Sequence, residues 1–404
     1  MSYKFVRITN IYEEQLHQYY LKFPDVVSLN YKEQYEHFVG ESIDTAVSMV
    51  LNLKRLGVDA SIIVTNASTL QRQWKSENNC LKEGKDIIYE QIKSLQPEII
   101  WVDDSKFFDG NWIKNVRKGI PSVRKITGHV CAPYNSQNLS NLSALDFLFT
   151  CTPCYKSEFD LAGLKTHLIY HSFDERMLDK FHVKNQQKQF DVIFSGSLIT
   201  GGGFHNKRIN YLEQIIKRNI DIRLFGNIES NSKILFKKLT YLGLNILRIV
   251  FGDSLLDRIT FLKKYRAFGN TPVKLYSRKL KASVAPPVFG IDQLKLLSKS
   301  RIVFNNHLDD AKACAGNIRL FEVTGSGSCL LTDWKQNINE LFVPGEEIVT
   351  YKSEDDCIDK IKWLLDNPII CERIAKAGQA RTLISHTSKK RAEVIHDIIL
   401  NSIL

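Results

Sequence analysis

Short apolar runs rich in β-branched and aromatic residues alternate along this chain with segments whose apolar positions recur every three or four residues. In the first half the runs are Phe5–Ile8, Ala60–Thr65, Glu98–Val102, Lys125–Thr127 and Phe147–Thr150. Between the first two, Ser42 to Leu56 sets Ile43, Val47, Val50, Leu51 and Lys54 on one stripe and closes at Gly57. Ile87 to Leu95 repeats the helical period and stops before Pro97. Strands alternating with helices predict a parallel sheet covered on both faces. A polar stretch, Lys180 to Gln189, then reads as a linker, and the alternation restarts. The second half predicts strands at 190–194, 222–225, near 284, 301–305 and 328–332, with helices at 206–218, 291–299, 317–324, 355–366 and 369–383. A last helix follows from His386. The expected fold class is therefore α/β, two Rossmann-like doubly wound parallel-sheet domains facing a cleft. The boundaries are 1–183, 190–385 and a terminal helix over 386–404, with ligands at the carboxyl ends of the strands.

At 404 residues the chain can bury two cores. No run approaches the ~20 apolar residues of a transmembrane helix. Met1 to Asn10 has Lys4 and Arg7 in a strand-like run and does not read as a signal peptide. Eight cysteines are scattered, several in apolar runs, as reduced core thiols are. Cys151-Thr-Pro-Cys154 lacks the second pair a zinc site needs. A reduced, cytoplasmic protein is expected, with no metal.

The net charge of +11 sits almost wholly between Lys233 and Lys281, where twelve Lys/Arg face Asp253 and Asp257. Leu244, Leu247, Phe251, Leu255, Ile259, Leu262 and Tyr265 fall on one helical face there, and Ser254 with Asp257 forms a capped restart after Gly252. Residues 229–283 thus read as a basic amphipathic insertion in the second domain. Two partners for its apolar face stay open: an anionic membrane surface, which would place the protein peripherally at the inner face, or its own domain. No nucleic-acid-binding module is present, so nucleic acid is not expected as a partner.

The chemistry concentrates in Ala315 to Asp333. A short helix beginning at Gly316-Asn317 offers free N–H groups to an anion, and Arg319 and Glu322 lie one turn apart on it. Arg319 can pair with Glu322 or neutralise a diphosphate, and the Glu322 carboxylate can accept from a vicinal diol such as a ribose. Gly196, Ser197, His205 and Arg208 belong to a Gly-rich strand-to-helix turn whose positive charges at a helix start suit a phosphate. Asn306 and His307 end a buried strand and point to the cleft mouth. In the first domain Asp103, Asp104 and His129 each follow a strand, where a base for an acceptor hydroxyl could stand.

Arg319-x-Phe321-Glu322-x-x-Gly325-x-Gly327-x-x-Leu330-Leu331-Thr332-Asp333, then Glu340-Leu341-Phe342-x-x-Gly345-x-Glu347 and Tyr351-x-Ser353, resembles the C-terminal domain of GT-B glycosyltransferases. The branch it looks like is the one related to spore-maturation glycosyltransferases, found among bacterial surface-polysaccharide enzymes. Pro287-Val288-Phe289-Gly290 and Asn305-Asn306-His307 extend the likeness upstream, and His386-Thr387-x-x-x-Arg391 ends it. The resemblance implies the GT-B fold with a terminal helix that crosses back to the first domain. It implies a nucleotide-sugar donor bound by the second domain, with Glu322 on the ribose, Asn317 in the same helix start, and Phe289-Gly290 at the base. Arg319, Arg208 and the Gly196 turn would meet the leaving phosphate without a metal cofactor. The acceptor would be a cell-surface glycan or a lipid-linked precursor. Retaining members with two glutamates carry the first eight positions before the second; Cys314 stands there, leaving the anomeric outcome open. A sugar-nucleotide epimerase, and a nucleotide-sugar-binding protein without turnover, are the alternatives on this fold.

Overall fold

The computed structural model describes residues 2–131, 134, 136–181, 187–201, 205–252, 272–309 and 312–404, with residues 136–138 described by their backbone only. Two sheets form. The first contains β1 (Lys4–Thr9), β2 (Asp59–Val64), β3 (Ile99–Val102), β4 (Lys125–His129), β5 (Phe147–Thr150) and β6 (Thr166–Leu168), in the order β2-β1-β3-β4-β5-β6. The second contains β7 (Phe190–Ser195), β8 (Ile222–Phe225), β9 (Val284–Ala285), β10 (Ser300–Asn305), β11 (Cys329–Asp333) and β12 (Val349–Tyr351), in the order β12-β11-β10-β7-β8-β9. Every pairing is parallel, and the central strands are buried on both faces, which is why their sequences read as continuous apolar runs. β6 and β12, three residues each, had no signal of their own in the pattern.

The sequence-based helix boundaries shift by a few residues, and caps explain the shifts. The helix expected from Ser42 spans Thr45–Arg55, because the Asp44 carboxylate accepts from the Ala46 N–H at 2.7 Å and starts it there. The helix expected over 317–324 spans Arg319–Gly325. The final helix, Ser388–Ile403, packs Ala392, Ile395 and Ile399 into the core of the first sheet, against the Thr45–Arg55 helix. Its entry is held by paired main-chain bonds, Phe173 N–H to His386 O (2.9 Å) and Ser388 N–H to Phe173 O (2.8 Å). Arg391 donates to the Tyr170 carbonyl at 3.0 Å.

The cysteines correct the sequence reading. Cys131 is bonded to Cys151, and Cys154 to Cys314; Cys329, Cys357 and Cys371 are free and buried. Cys131 and Cys151 follow β4 and β5, adjacent strands, so sheet order brings them together. The second bond joins the two domains. Between β8 and β9 the helices Asn231–Phe251 and Arg278–Ala282 are described. Leu255, Ile259, Leu262, Tyr265 and the Ser254–Asp257 restart lie outside the described residues, as do 202–204 of the Gly-rich turn.

Candidate active site

In each sheet the strand order reverses beside the first strand of its domain, β1 in one and β7 in the other, and the carboxyl ends of these strands face one another. A cavity of about 660 Å³ lies between them. The second domain supplies Gly196 and Ser197 after β7, Gly226 and Asn227 after β8, and Phe289, Gly290, Arg319 and Glu322. The first domain supplies Tyr12 after β1, Asp44 and Thr45 at a helix start, and His171 and Ser172 after β6. Six of the residues singled out from the sequence therefore converge: Gly196, Ser197, Phe289, Gly290, Arg319 and Glu322.

Backbone fit makes the floor of this cavity. The Gly196 N–H donates to the Phe225 carbonyl at 2.9 Å, and a Cβ on Gly226 would overlap the Gly196 carbonyl oxygen. Gly290 has φ +59°, a left-handed conformation that turns the chain between Phe289 and the next helix. Phe289 is half-buried at the rim, and its ring lies 6.4 Å from that of Tyr12 across the cleft. On the Arg319–Gly325 helix, Arg319 donates to Glu322 at 2.8 Å, and the Gln293 amide stands 3.3 Å from the same carboxylate oxygen. The pairing and the cleft position coexist, so a bound anion would compete with Glu322 for the guanidinium.

The remaining donor-side expectations need correction. The Gly316-Asn317 start does not face the cavity. A Cβ on Gly316 would overlap the Cys151 carbonyl, so this glycine lets the second domain approach the first. Asn317 is spent within its own domain, donating to Asn305 Oδ1 at 3.0 Å and accepting from the Leu320 N–H at 3.3 Å. Arg208 is buried behind the floor, donating to the carbonyls of Ser197 (2.9 Å) and Asn306 (3.2 Å) with its guanidinium 5.3 Å from the Phe194 ring. It positions the Gly196–Ser197 turn and does not line the cavity. His205 is also buried, and desolvation with Arg208 nearby pushes its pKa down to about 3. It is neutral at pH 7, not the positive charge its place in the sequence suggested. Asn306 and His307 line a different cavity of about 350 Å³, where His307 Nδ1 lies 2.7 Å from Asp333.

The first-domain candidates are corrected in the same way. Asp103 receives Arg7 Nε at 2.8 Å and Nη2 at 3.0 Å, and the Trp101 indole N–H at 2.8 Å. Burial alone would raise its pKa, but the guanidinium outweighs that and holds it below the ordinary carboxylate value. It is an ion-pair partner for Arg7, not a free base. Its stabilisation is present above the unfolded-state pKa and is lost as pH falls through the lowered one. Asp103→Ala leaves Arg7 buried without its anion and is expected to cost about 3–5 kcal/mol in a denaturant titration. Asp104 accepts from the N–H groups of Lys106 and Phe107, both at 3.0 Å, and does not line the cavity between the sheets. His129 sits behind His171, in a separate cavity of about 50 Å³ with Arg7 and Trp101. Burial pushes its pKa down to about 4.

Asp44 is the acid the sequence reading passed over. It lines the cavity between the two sheets, and burial raises its pKa against the opposing pull of the Ala46 N–H and Arg7. Its signal was an Asp-Thr pair ahead of an apolar helical stripe, read only as part of the helix. His171 lines both cavities, and burial with His129 and Arg7 nearby pushes its pKa down to about 3, so it is neutral at pH 7. Asp174, also on the wall, is occupied by Arg176. Among the described residues, ligand atoms of Cys131, Cys151 and His171 lie within 4.8 Å of one another. With the two sulfurs joined, neither is a thiolate available to a metal.

The comparisons with known proteins fit this geometry. Residues 251–397 match the glycosyl transferase-like family. The matched segment contains Phe289, Gly290, Arg319 and Glu322, one wall of the cavity. No curated protein matches the chain in sequence. Among solved structures it is similar to HepE of Anabaena in complex with UDP-glucose, at 10% identity and a TM-score of 0.58, covering 99% of this chain and 100% of that one. A glycosyltransferase from Rickettsia africae superimposes with a TM-score of 0.55 at 11% identity, covering 100% and 99%. A Listeria monocytogenes protein described as a UDP-N-acetylglucosamine 2-epimerase gives 0.50 at 12% identity, covering 99% and 96%. Identities this low establish the fold, which is GT-B: two Rossmann-like domains facing a cleft.

Proposed function

We propose that this protein transfers a sugar from a uridine-diphosphate donor to a hydroxyl of a cell-surface glycan or its lipid-linked precursor. The observation that carries the proposal is the site of the glycosyl transferase-like match. It supplies the wall on which an aromatic ring, a carboxylate and a guanidinium sit together at the carboxyl end of β7 and β8. Phe289 stacks on the base, Glu322 accepts from the ribose hydroxyls, and the Gly196–Gly226 floor admits the diphosphate. A solved structure of this fold bound to UDP-glucose supports uridine as the nucleotide.

In the reaction, the bond between the anomeric carbon and the phosphate oxygen breaks as the acceptor oxygen bonds to that carbon. Asp44 takes the acceptor proton, and its raised pKa suits a base better than the depressed values of His129 and His171. The leaving diphosphate gains negative charge, which Arg319 meets once it turns from Glu322. We propose that this electrostatic role serves in place of a divalent cation. The experiment is incubation with UDP-sugars, with and without saccharide acceptors. Acceptor-dependent UDP release supports transfer; interconversion of the free UDP-sugar with no acceptor would instead make the protein an epimerase; UDP-sugar binding without turnover would make it a binding protein.

A further inference from the structure

We infer that the Asn231–Phe251 helix docks this protein on an anionic lipid surface through its outward apolar face. The helix has 21 residues, about 30 Å in length. It turns Ile234, Lys237 and Leu244 inward. Lys237 is neutralised there, bonding Glu229 at 2.7 Å and the Thr200 carbonyl at 2.9 Å. The outward side is the unusual one. Phe236 is 61% exposed, Leu239 60%, Ile246 61% and Ile249 85%, with Leu235 and Leu242 beside them. These positions follow spacings of three and four, so they form one stripe along the helix. The sequence reading left two partners open for the apolar side of this insertion. Of that side, Leu244 is buried and Leu247 half-buried while Phe251 is 59% exposed, and its remaining positions lie outside the described residues; the exposed stripe is a second apolar face of the described helix.

Charge selects the occupant. The segment from Lys233 to Lys281 carries ten more cations than anions. Lys233 and Lys238 on this helix, and Arg278 and Lys279 on the next, are exposed. An apolar stripe alone would suit another copy of the chain, but that copy would bring the same positive charge against it. An apolar stripe with flanking cations matches the two layers of an anionic membrane, acyl chains below and phosphates above. No described helix is long and apolar enough to cross a membrane, so the contact is along the surface. The helix also begins close to the cleft: Asn227 lines the cavity, and Ser230 caps the helix by accepting from the Lys233 N–H. Docking would therefore hold the cavity near the lipid surface. The inference stands on this helix and the basic segment around it, and needs neither the proposed donor nor the proposed reaction.

The test is flotation of the full chain with vesicles of phosphatidylglycerol and phosphatidylethanolamine, and with vesicles of phosphatidylcholine. The wild type should float with the first and not with the second, and rising salt should weaken its binding. Leu239→Glu combined with Ile246→Glu should reduce partitioning about tenfold or more. Lys238→Glu with Lys279→Glu should reduce it for anionic vesicles only. UDP binding should be unchanged in every variant, which separates a failure here from a failure of the proposed reaction. Absence of flotation by the wild type, or equal flotation of the apolar variant, would overturn the inference. So would a dimer in sedimentation that the apolar variant dissolves while the wild type ignores vesicles.

Discussion

Asp44→Asn should lower kcat by roughly 10²–10⁴ while leaving UDP affinity within a few-fold of the wild type. Asparagine keeps the acceptor oxygen that caps the Thr45–Arg55 helix, so the fold should hold. What it loses is the ability to take the acceptor's proton. The pH profile separates these roles. Burial raises the Asp44 pKa, and the base works only when ionised. Wild-type kcat at saturating substrates should therefore fall as pH drops through a value above the ordinary range for aspartate. The residual rate of the variant should lack that limb. Activity within a few-fold of wild type, or the same limb in the variant, would remove Asp44 from the chemistry.

Gly226→Ala should disturb the donor floor more than any other single methyl group placed in the cleft. Its Cβ would overlap the Gly196 carbonyl oxygen, a backbone atom that cannot swing away. The Gly196 amide is tied to Phe225, and the Gly226 amide to Ala285 at 3.1 Å, so both sides of the contact are held by the sheet. Relief requires β7 and β8 to part at their carboxyl ends. Overpacking of this kind costs about 1–3 kcal/mol of stability. Displacing the diphosphate seat by about 1 Å can cost on the order of 10² in rate. Thermal unfolding and UDP titration of the purified variant measure the two effects separately. An unchanged UDP affinity would show that the Gly196–Gly226 contact does not seat the donor.

Much of the fold could be read locally because both sheets are parallel and buried, so each long strand announces itself as an apolar run. Phe147–Thr150 and Ile222–Phe225 were placed to the residue. Three cavity residues of the second domain were legible for a related reason: Gly196, Arg319 and Glu322 each sit beside a strand end or helix start that the local pattern marks, whereas Phe289 was implied only by the family resemblance. The first domain was less legible because its site depends on which strands are neighbours. Asp103 follows β3 as a catalytic acid might, but β1 lies next to β3 and delivers Arg7 to it. Asp44 and His171 come from segments far apart in sequence and meet only in the folded cleft. The cysteines failed for the same reason, since the pairing of Cys131 with Cys151 follows from β4 and β5 being adjacent.

Calorimetric titration with UDP, of the wild type and of Glu322→Ala, tests the central claim most directly. A nucleotide site on the Arg319–Glu322 wall predicts micromolar binding by the wild type and at least about tenfold weaker binding by the variant, on the order of 1.4 kcal/mol. Equal binding by the two proteins, or no binding by either, would contradict it.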